Sequence, residues 1–272
     1  MAKPKLALIP ATQGSKLYSV LPADGVGDFT FSRGSAATRI NKDGLIETVA
    51  VGKSRLNYPL IDGVVNGCPS HLLEPQRSNL LSYSEGFSNA YWIKPQASVV
   101  SGQSSPSGDT SAFKLVEDTS NNLHWLLQPS ILSTAGTWSY SIFAKAGERD
   151  YIRMGNASLG YYSFFNLQNG TVVSSVANAV GSIETFKNGW YRCTVKLTTT
   201  NSAAIGVFIS TDGTTTSYNG DGTSGIYIFG AQLEEGSFPT SYIPTTSASV
   251  TRVAETANGA GDASTFNDSE GV

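Results

Sequence analysis

Between Gly222 and Pro244 the chain reads Gly-Thr-Ser-Gly-Ile-Tyr-Ile-Phe-Gly-Ala-Gln-Leu-Glu-Glu-Gly-Ser-Phe-Pro-Thr-Ser-Tyr-Ile-Pro, and this stretch limits the folds open to the whole protein. Successive side chains of a strand point to opposite faces, so Ile226 and Ile228 fall on one side and Tyr227, Phe229, Ala231 and Leu233 on the other. Both faces are apolar. Such a strand needs cover above and below, which places it in the middle of a sheet within a two-layer β structure. Gly236, Pro239 and Pro244 then end it.

From Tyr83 to Pro244 the β pattern repeats. Strand candidates fall at 97–100, 112–116, 123–128, 138–144, 151–154, 161–167, 171–176, 182–186, 190–198, 205–209 and 226–233, separated by turn signals such as Asn169-Gly170, Asn188-Gly189, Asp212-Gly213 and Asp221-Gly222. No run longer than about ten residues keeps a helical period. The pattern predicts an all-β fold, an antiparallel β-sandwich (jelly roll) in which two sheets share one core and leave few edges exposed. Only 14% of residues are Asp, Glu, Lys or Arg, against roughly 25% in ordinary soluble domains. A surface built from Ser, Thr, Asn and Gly suits an extracellular or virion-type protein better than a metabolic enzyme.

Residues 1–80 hold only short extended pieces. Asp43-Gly44 between the β-prone runs 38–41 and 45–50 signals a hairpin, and Pro59, Pro69 and Pro75 argue against helix. Pieces this short bury too little apolar area to fold alone. They predict an extended N-terminal attachment segment with a small β-hairpin unit, leaning on the rest of the chain or on another subunit. The sandwich then occupies 81–246, and the polar residues 247–272 read as a linker toward a further domain.

A net charge of −3 and a pI near 5.4 offer nucleic-acid phosphates no basic footprint. No apolar run approaches the roughly 18 residues of a membrane span, and Met1-Ala-Lys-Pro-Lys lacks the apolar core of a secretory signal. Neither nucleic acid nor membrane insertion is therefore expected. Cys68 and Cys193 are too few for a disulfide scaffold and read as packing residues. His71 and His124 are the only histidines; His71 reads as an exposed or capping residue, and His124 as a solvent-facing strand residue with glycan contact as the alternative. No nucleophile elbow or phosphate-binding glycine loop is present. The adjacent carboxylates Glu234-Glu235 and Glu117-Asp118 would point to opposite faces of a strand and cannot flank one bond. Asp109, Asp212 and Asp221 sit in Gly- and Ser-rich loops, where turn formation explains them better than calcium does. Neither catalysis, nor a metal, nor a cofactor is expected.

One set of residues invites a binding role. If Trp138, Tyr140, Ile142 and Ala144 face the core, Phe143 faces outward. The same alternation turns Tyr151 and Arg153 outward opposite Ile152 and Met154, and Trp190 and Arg192 outward opposite Tyr191 and Cys193. Phe143, Tyr151, Arg153, Trp190 and Arg192 would then share one face, with flat rings for sugar C–H faces and cations for hydroxyls. The competing expectation is that the N-terminal segment or a neighbouring subunit covers that face.

Several motifs also carry a family resemblance. Lys16-Leu-Tyr-Ser-Val-Leu-Pro22, Gly27-Asp-Phe-Thr-Phe-Ser-Arg33, Ala37-Thr-Arg-Ile-Asn-Lys-Asp-Gly-Leu-Ile-Glu47, Leu73-Glu-Pro-Gln-Arg-Ser-Asn79, Tyr83-Ser-Glu-Gly-Phe-Ser88, Phe143-Ala-Lys-Ala-Gly147, Asn188-Gly-Trp-Tyr-Arg-Cys193 and residues 218–252 follow in order and cover most of the chain. Together they resemble a family of bacteriophage virion proteins, tail or head fibre components of phages and prophages of Bacteroidetes and other aquatic bacteria. Ser139-Tyr-Ser-Ile-Phe-Ala-Lys145 and Ile226-Tyr-Ile-Phe-Gly-Ala-Gln-Leu233 are similar to core strands of a carbohydrate-binding-module jelly roll. The resemblance implies a non-enzymatic structural protein of the virion, a homotrimeric fibre or appendage subunit. It would dock on other capsid or tail proteins by its N-terminal segment and present the sandwich for host-surface glycan adhesion. In such relatives the segment resembling Phe266-Asn-Asp-Ser-Glu-Gly271 opens a further lectin-like domain. The other reading is a carbohydrate-binding module of a secreted bacterial polysaccharide-degrading enzyme, against which the missing secretory signal counts. A depolymerase would need an acid and base pair that the sequence does not offer.

Overall fold

The strand apolar on both faces is central. In the computed structural model Gly225–Glu235 pairs antiparallel with Ala112–Glu117 on one side and Gly136–Ala146 on the other. Residues 11–13, 16–18, 29–132, 135–156, 160–176, 178–199 and 203–258 are described. They belong to two units, one made of residues 1–59, 65–77 and 251–272, the other of 60–64 and 78–250.

The larger unit is the expected all-β antiparallel sandwich. Its main strands are β1 (Ala97–Gln103), β2 (Ala112–Glu117), β3 (Trp125–Leu132), β4 (Gly136–Ala146), β5 (Tyr151–Asn156), β6 (Tyr161–Asn166), β7 (Thr171–Ser175), β8 (Ala179–Thr185), β9 (Tyr191–Thr199), β10 (Ala203–Ser210) and β11 (Gly225–Glu235). Six of them form one sheet in the order β1, β2, β11, β4, β9, β8, and five form the other in the order β3, β10, β5, β6, β7. Among the described residues the only helical turn is a 3-10 turn at Lys187–Gly189. Alternation sorts the faces as the sequence predicts: Tyr140, Ile142, Ile152, Met154, Cys193 and Val195 are fully buried in the shared core.

The central strand departs from simple alternation at one point. Ser141 lies opposite Gln232 and Phe143 opposite Phe229, so Gly230 and Ala231 together face Ile142. This two-against-one bulge is made by Gly230, whose φ is 59°. Parity therefore flips: Ala231 and Leu233 join Ile226 and Ile228 in the core instead of facing away from them. Gly230→Ala should destabilise the sandwich by about 2 kcal/mol through the left-handed backbone alone. The new Cβ would also stand 3.1 Å from both Phe143 Cδ2 and Tyr242 Cζ. An unchanged urea midpoint by tryptophan fluorescence would contradict this account of the bulge.

Behind the six-stranded sheet, residues 236–246 fold back as a cover. Tyr242 packs on Phe229 at 5.5 Å and on Phe143 at 5.9 Å, and its hydroxyl donates to Glu85 Oε1 at 2.8 Å. The amides of Thr240 and Ile243 donate to Glu234 Oε2 at 2.8 Å and Gln232 Oε1 at 2.6 Å. Polar residues on this side of the strand thus hold the cover in place.

In the smaller unit, the Asp43-Gly44 signal produces its hairpin. Ala37–Ile40 pairs with Ile46–Val49, and Gly44 turns the chain with φ 76°. The polar residues after 250, read from composition as a linker, are structured as far as 258: Thr256–Asn258 pairs antiparallel with Phe29–Ser32. Their charges are not solvated but buried. Arg33 Nη1 donates to Glu255 Oε1 at 2.7 Å, Arg55 Nε donates to the same oxygen at 2.8 Å, and Arg55 Nη2 pairs with Glu255 Oε2. Glu74 accepts from Arg55 and Arg252, each at 2.9 Å. Residues 1–10, 14–15, 19–28 and 259–272, which include part of the proposed attachment segment and the Phe266 motif, lie outside the described residues.

Candidate functional site

The five residues expected to share a face do not. Phe143 on β4 and Arg192 on β9 belong to the six-stranded sheet, whereas Tyr151 and Arg153 on β5 belong to the five-stranded one. The outer faces of two stacked sheets point away from each other, so correct alternation still put the pairs on opposite sides of the molecule. Phe143 is 1% exposed beneath Tyr242 and Phe186, with the Arg192 guanidinium 5.4 Å from its ring. Trp190 is 2% exposed and offers no ring face to a ligand. These three residues are packing.

Arg153 is different, because its sheet's outer face carries a row of rings. In register across four strands lie Trp125 on β3, Phe208 on β10, Arg153 on β5 and Phe164 on β6. Their neighbours Leu126, Val207, Ile152 and Phe165 are fully buried in the core, and the period of two turns the row outward. With strands about 4.8 Å apart, the row runs about 14 Å. Trp125 and Phe208 stack at 4.6 Å with planes 16° apart. The Arg153 guanidinium lies 3.7 Å from the Phe208 centroid and 4.8 Å from that of Tyr162, whose ring meets Phe164 edge-on at 5.6 Å. Trp125, Arg153, Tyr151 and Tyr162 are each partly exposed, while Phe208 and Phe164 form the floor.

The adjacent row has two buried glycines at its centre. Gly206 lies opposite Gly155, with Leu127 and Tyr162 at its ends. A Cβ at Gly206 would sit 3.2 Å from Phe208 Cε2 and 3.4 Å from Trp125 Cε3, so this glycine makes room for the stacked pair.

Arg153 makes no hydrogen bond or ion pair among the described residues, and its buried Nε has no partner. Burial draws its pKa below the usual guanidinium range, and the Tyr162 phenol alone opposes this. The other arginines of this unit are engaged. Arg149 forks onto Glu117, and Arg192 Nη2 donates to Ser141 Oγ at 3.1 Å.

Other titratable clusters have structural work. Glu117 accepts from Arg149, from the Tyr218 hydroxyl at 2.7 Å and from the Asp221 amide at 3.0 Å; burial pushes its carboxyl up, but these donors hold it below its ordinary range. Asp212 caps its own loop by accepting from the Thr214 and Thr215 amides at 2.8 and 2.7 Å, and Asp221 accepts from the Thr223 and Ser224 amides at 2.7 Å. Both form the turns that the sequence predicts there. His124 is fully buried, not solvent-facing, with Nδ1 2.8 Å from the Gln96 carbonyl and its ring 4.7 Å from Tyr218. In a groove of about 430 Å³, Glu85 is the one titratable lining residue, its carboxyl raised by burial. Among the described residues no three His, Cys, Asp or Glu side chains converge as metal ligands.

Sequence reasoning named Arg153 and Tyr151 of this face but not Trp125, Phe208, Phe164 or Tyr162. A signal was present in Phe164-Phe165, since only one of two adjacent residues on a strand can face the core shared by the two sheets.

No family model and no curated protein matches the chain. Among solved structures, one likeness is to the CBM22-1 and GH10 modules of endo-1,4-β-D-xylanase 10B from Clostridium thermocellum, complexed with xylohexaose. It is 10% identical, covers 58% of this chain and 27% of that one, and has a TM-score of 0.31.

Proposed function

We propose that this chain is a non-enzymatic phage fibre or appendage subunit whose sandwich contacts host-surface carbohydrate through the outer face of the five-stranded sheet. The row of Trp125, Phe208, Arg153 and Phe164, with Tyr162 beside it, carries the carbohydrate part. The partly exposed rings of Trp125 and Tyr162, held on a rigid sheet, can stack on the C–H faces of sugars while the guanidinium and phenols meet hydroxyls. The particle part rests on the sequence motifs. On that reading the N-terminal residues dock on other virion proteins, and the subunit assembles as a homotrimer.

Affinity electrophoresis of the whole chain in gels containing host surface polysaccharide tests the carbohydrate part. Trp125→Ala should weaken retardation about tenfold, within the range of one lost ring contact, with the urea midpoint followed as a control for folding. Retardation untouched by the substitution, or absent in the parent protein, refutes this use of the face. Mass spectrometry of purified particles tests the remainder, and absence of the chain from them removes the virion role.

A further inference from the structure

Resting on the carbohydrate reading above, we infer that the glycan taken by this face is acidic, and that Arg153 receives its carboxylate. The cation lies in the middle of the row, between Phe208 and Tyr162 and two strands from the partly exposed Trp125. It is partly desolvated and has no anionic partner among the described residues. The undescribed positions of this unit, 133–134, 157–159, 177 and 200–202, carry no Asp or Glu. Asp212, whose loop packs against Tyr151, spends its carboxylate on the amides of Thr214 and Thr215. Rings on either side satisfy the faces of the guanidinium but not its edge, where the N–H donors lie. A carboxylate fits that edge through two parallel hydrogen bonds, and a ligand that supplies the missing charge offsets a desolvation already incurred in the free protein. A neutral sugar hydroxyl supplies neither the charge nor the paired geometry. The protein's net charge of −3 makes the preference local, not a general attraction to polyanions.

The probes are alginate, polygalacturonate and hyaluronan, each compared with its own carboxyl-reduced, neutral form in affinity electrophoresis with the whole chain. At least one acidic form should be held about tenfold more tightly than its reduced counterpart, with the difference shrinking as salt is raised. Arg153→Gln should erase the difference, Arg153→Lys should retain part of it, and Trp125→Ala should weaken both forms alike. The comparison of acidic and reduced polymers in the unsubstituted protein stands even if a variant folds poorly. Equal binding of both forms, still dependent on Trp125, overturns the acidic preference and leaves the carbohydrate reading standing. Failure to retain any acidic polymer while neutral host polysaccharide is retained does the same. Retention of no polysaccharide at all removes both.

Discussion

Glu255→Gln is expected to cost the smaller unit about 3–5 kcal/mol, the usual penalty for stranding a buried charge by removing its partner. One carboxylate there serves two arginines and an amide: Arg33 and Arg55 both reach Oε1, and Arg55 and the Glu74 N–H reach Oε2. Both ion-pair partners and Glu255 itself have fully buried side chains. Glutamine keeps the shape, but it removes the charge and turns one acceptor into a donor aimed at donors. The pH dependence follows from the direction of the shift. Burial pushes the Glu255 carboxyl up, yet Arg55 and Arg33 outweigh it and hold the group below its ordinary value of 4.5. A depressed carboxylate contributes fully above its unfolded pKa and loses that contribution as pH falls from there toward the folded one. Exchange protection across 37–49 should therefore fall below about pH 4.5 in the parent protein. The variant should be poorly protected at neutral pH already, with little of that acid step left to lose. Hydrogen exchange is the suitable measurement because all four tryptophans, at 92, 125, 138 and 190, lie in the larger unit. Equal protection in the two proteins at neutral pH would show that this cluster does not hold the unit together.

Much of this architecture is legible locally. Alternation alone orients Ile152 and Met154 inward and Arg153 outward, and Asp43-Gly44 alone places a hairpin turn. What alternation cannot supply is partnership. Whether β5 lies beside β4 or beside β10 depends on contacts between segments distant in sequence, and that choice separates Phe143 and Arg192 from Tyr151 and Arg153. Parity is equally vulnerable, since one glycine in a left-handed conformation reverses every face assignment beyond it, as at Gly230. Charge misleads for another reason. Arg33, Arg55, Arg252 and Glu255 read as surface residues until distant segments bring them together, because a lone buried charge is prohibitive and a paired one is not. Trp125 was hidden by its neighbours: in a run apolar on both faces, nothing local says which ring is left outside.

Asn79→Leu should cost the sandwich about 4 kcal/mol, because it orphans four backbone groups at about 1 kcal/mol or more each. The Asn79 side chain is fully buried with every hydrogen-bonding direction filled. Its Oδ1 accepts from the amides of Leu81 and Leu233, both at 3.1 Å, and its Nδ2 donates to the carbonyls of Ala231 at 3.1 Å and Ile243 at 2.9 Å. Two donors and two acceptors around one amide leave no freedom in which way it points. The side chain ties the chain entering the sandwich to the central strand just past its bulge and to the cover at Ile243. Leucine matches the volume and answers none of the four groups. Asn79→Asp sharpens the test: it keeps both accepted bonds but sets a carboxylate against two carbonyl oxygens, which raises its folded pKa above the unfolded one. Relative to the parent, that variant should be most damaged at neutral pH and should recover as pH falls through the raised pKa, where the protonated acid can donate one bond. Urea midpoints from tryptophan fluorescence at neutral and mildly acidic pH read both effects. If the leucine variant matched the parent, or the aspartate variant showed no recovery on acidification, this amide would not be what fastens the cover to the strand.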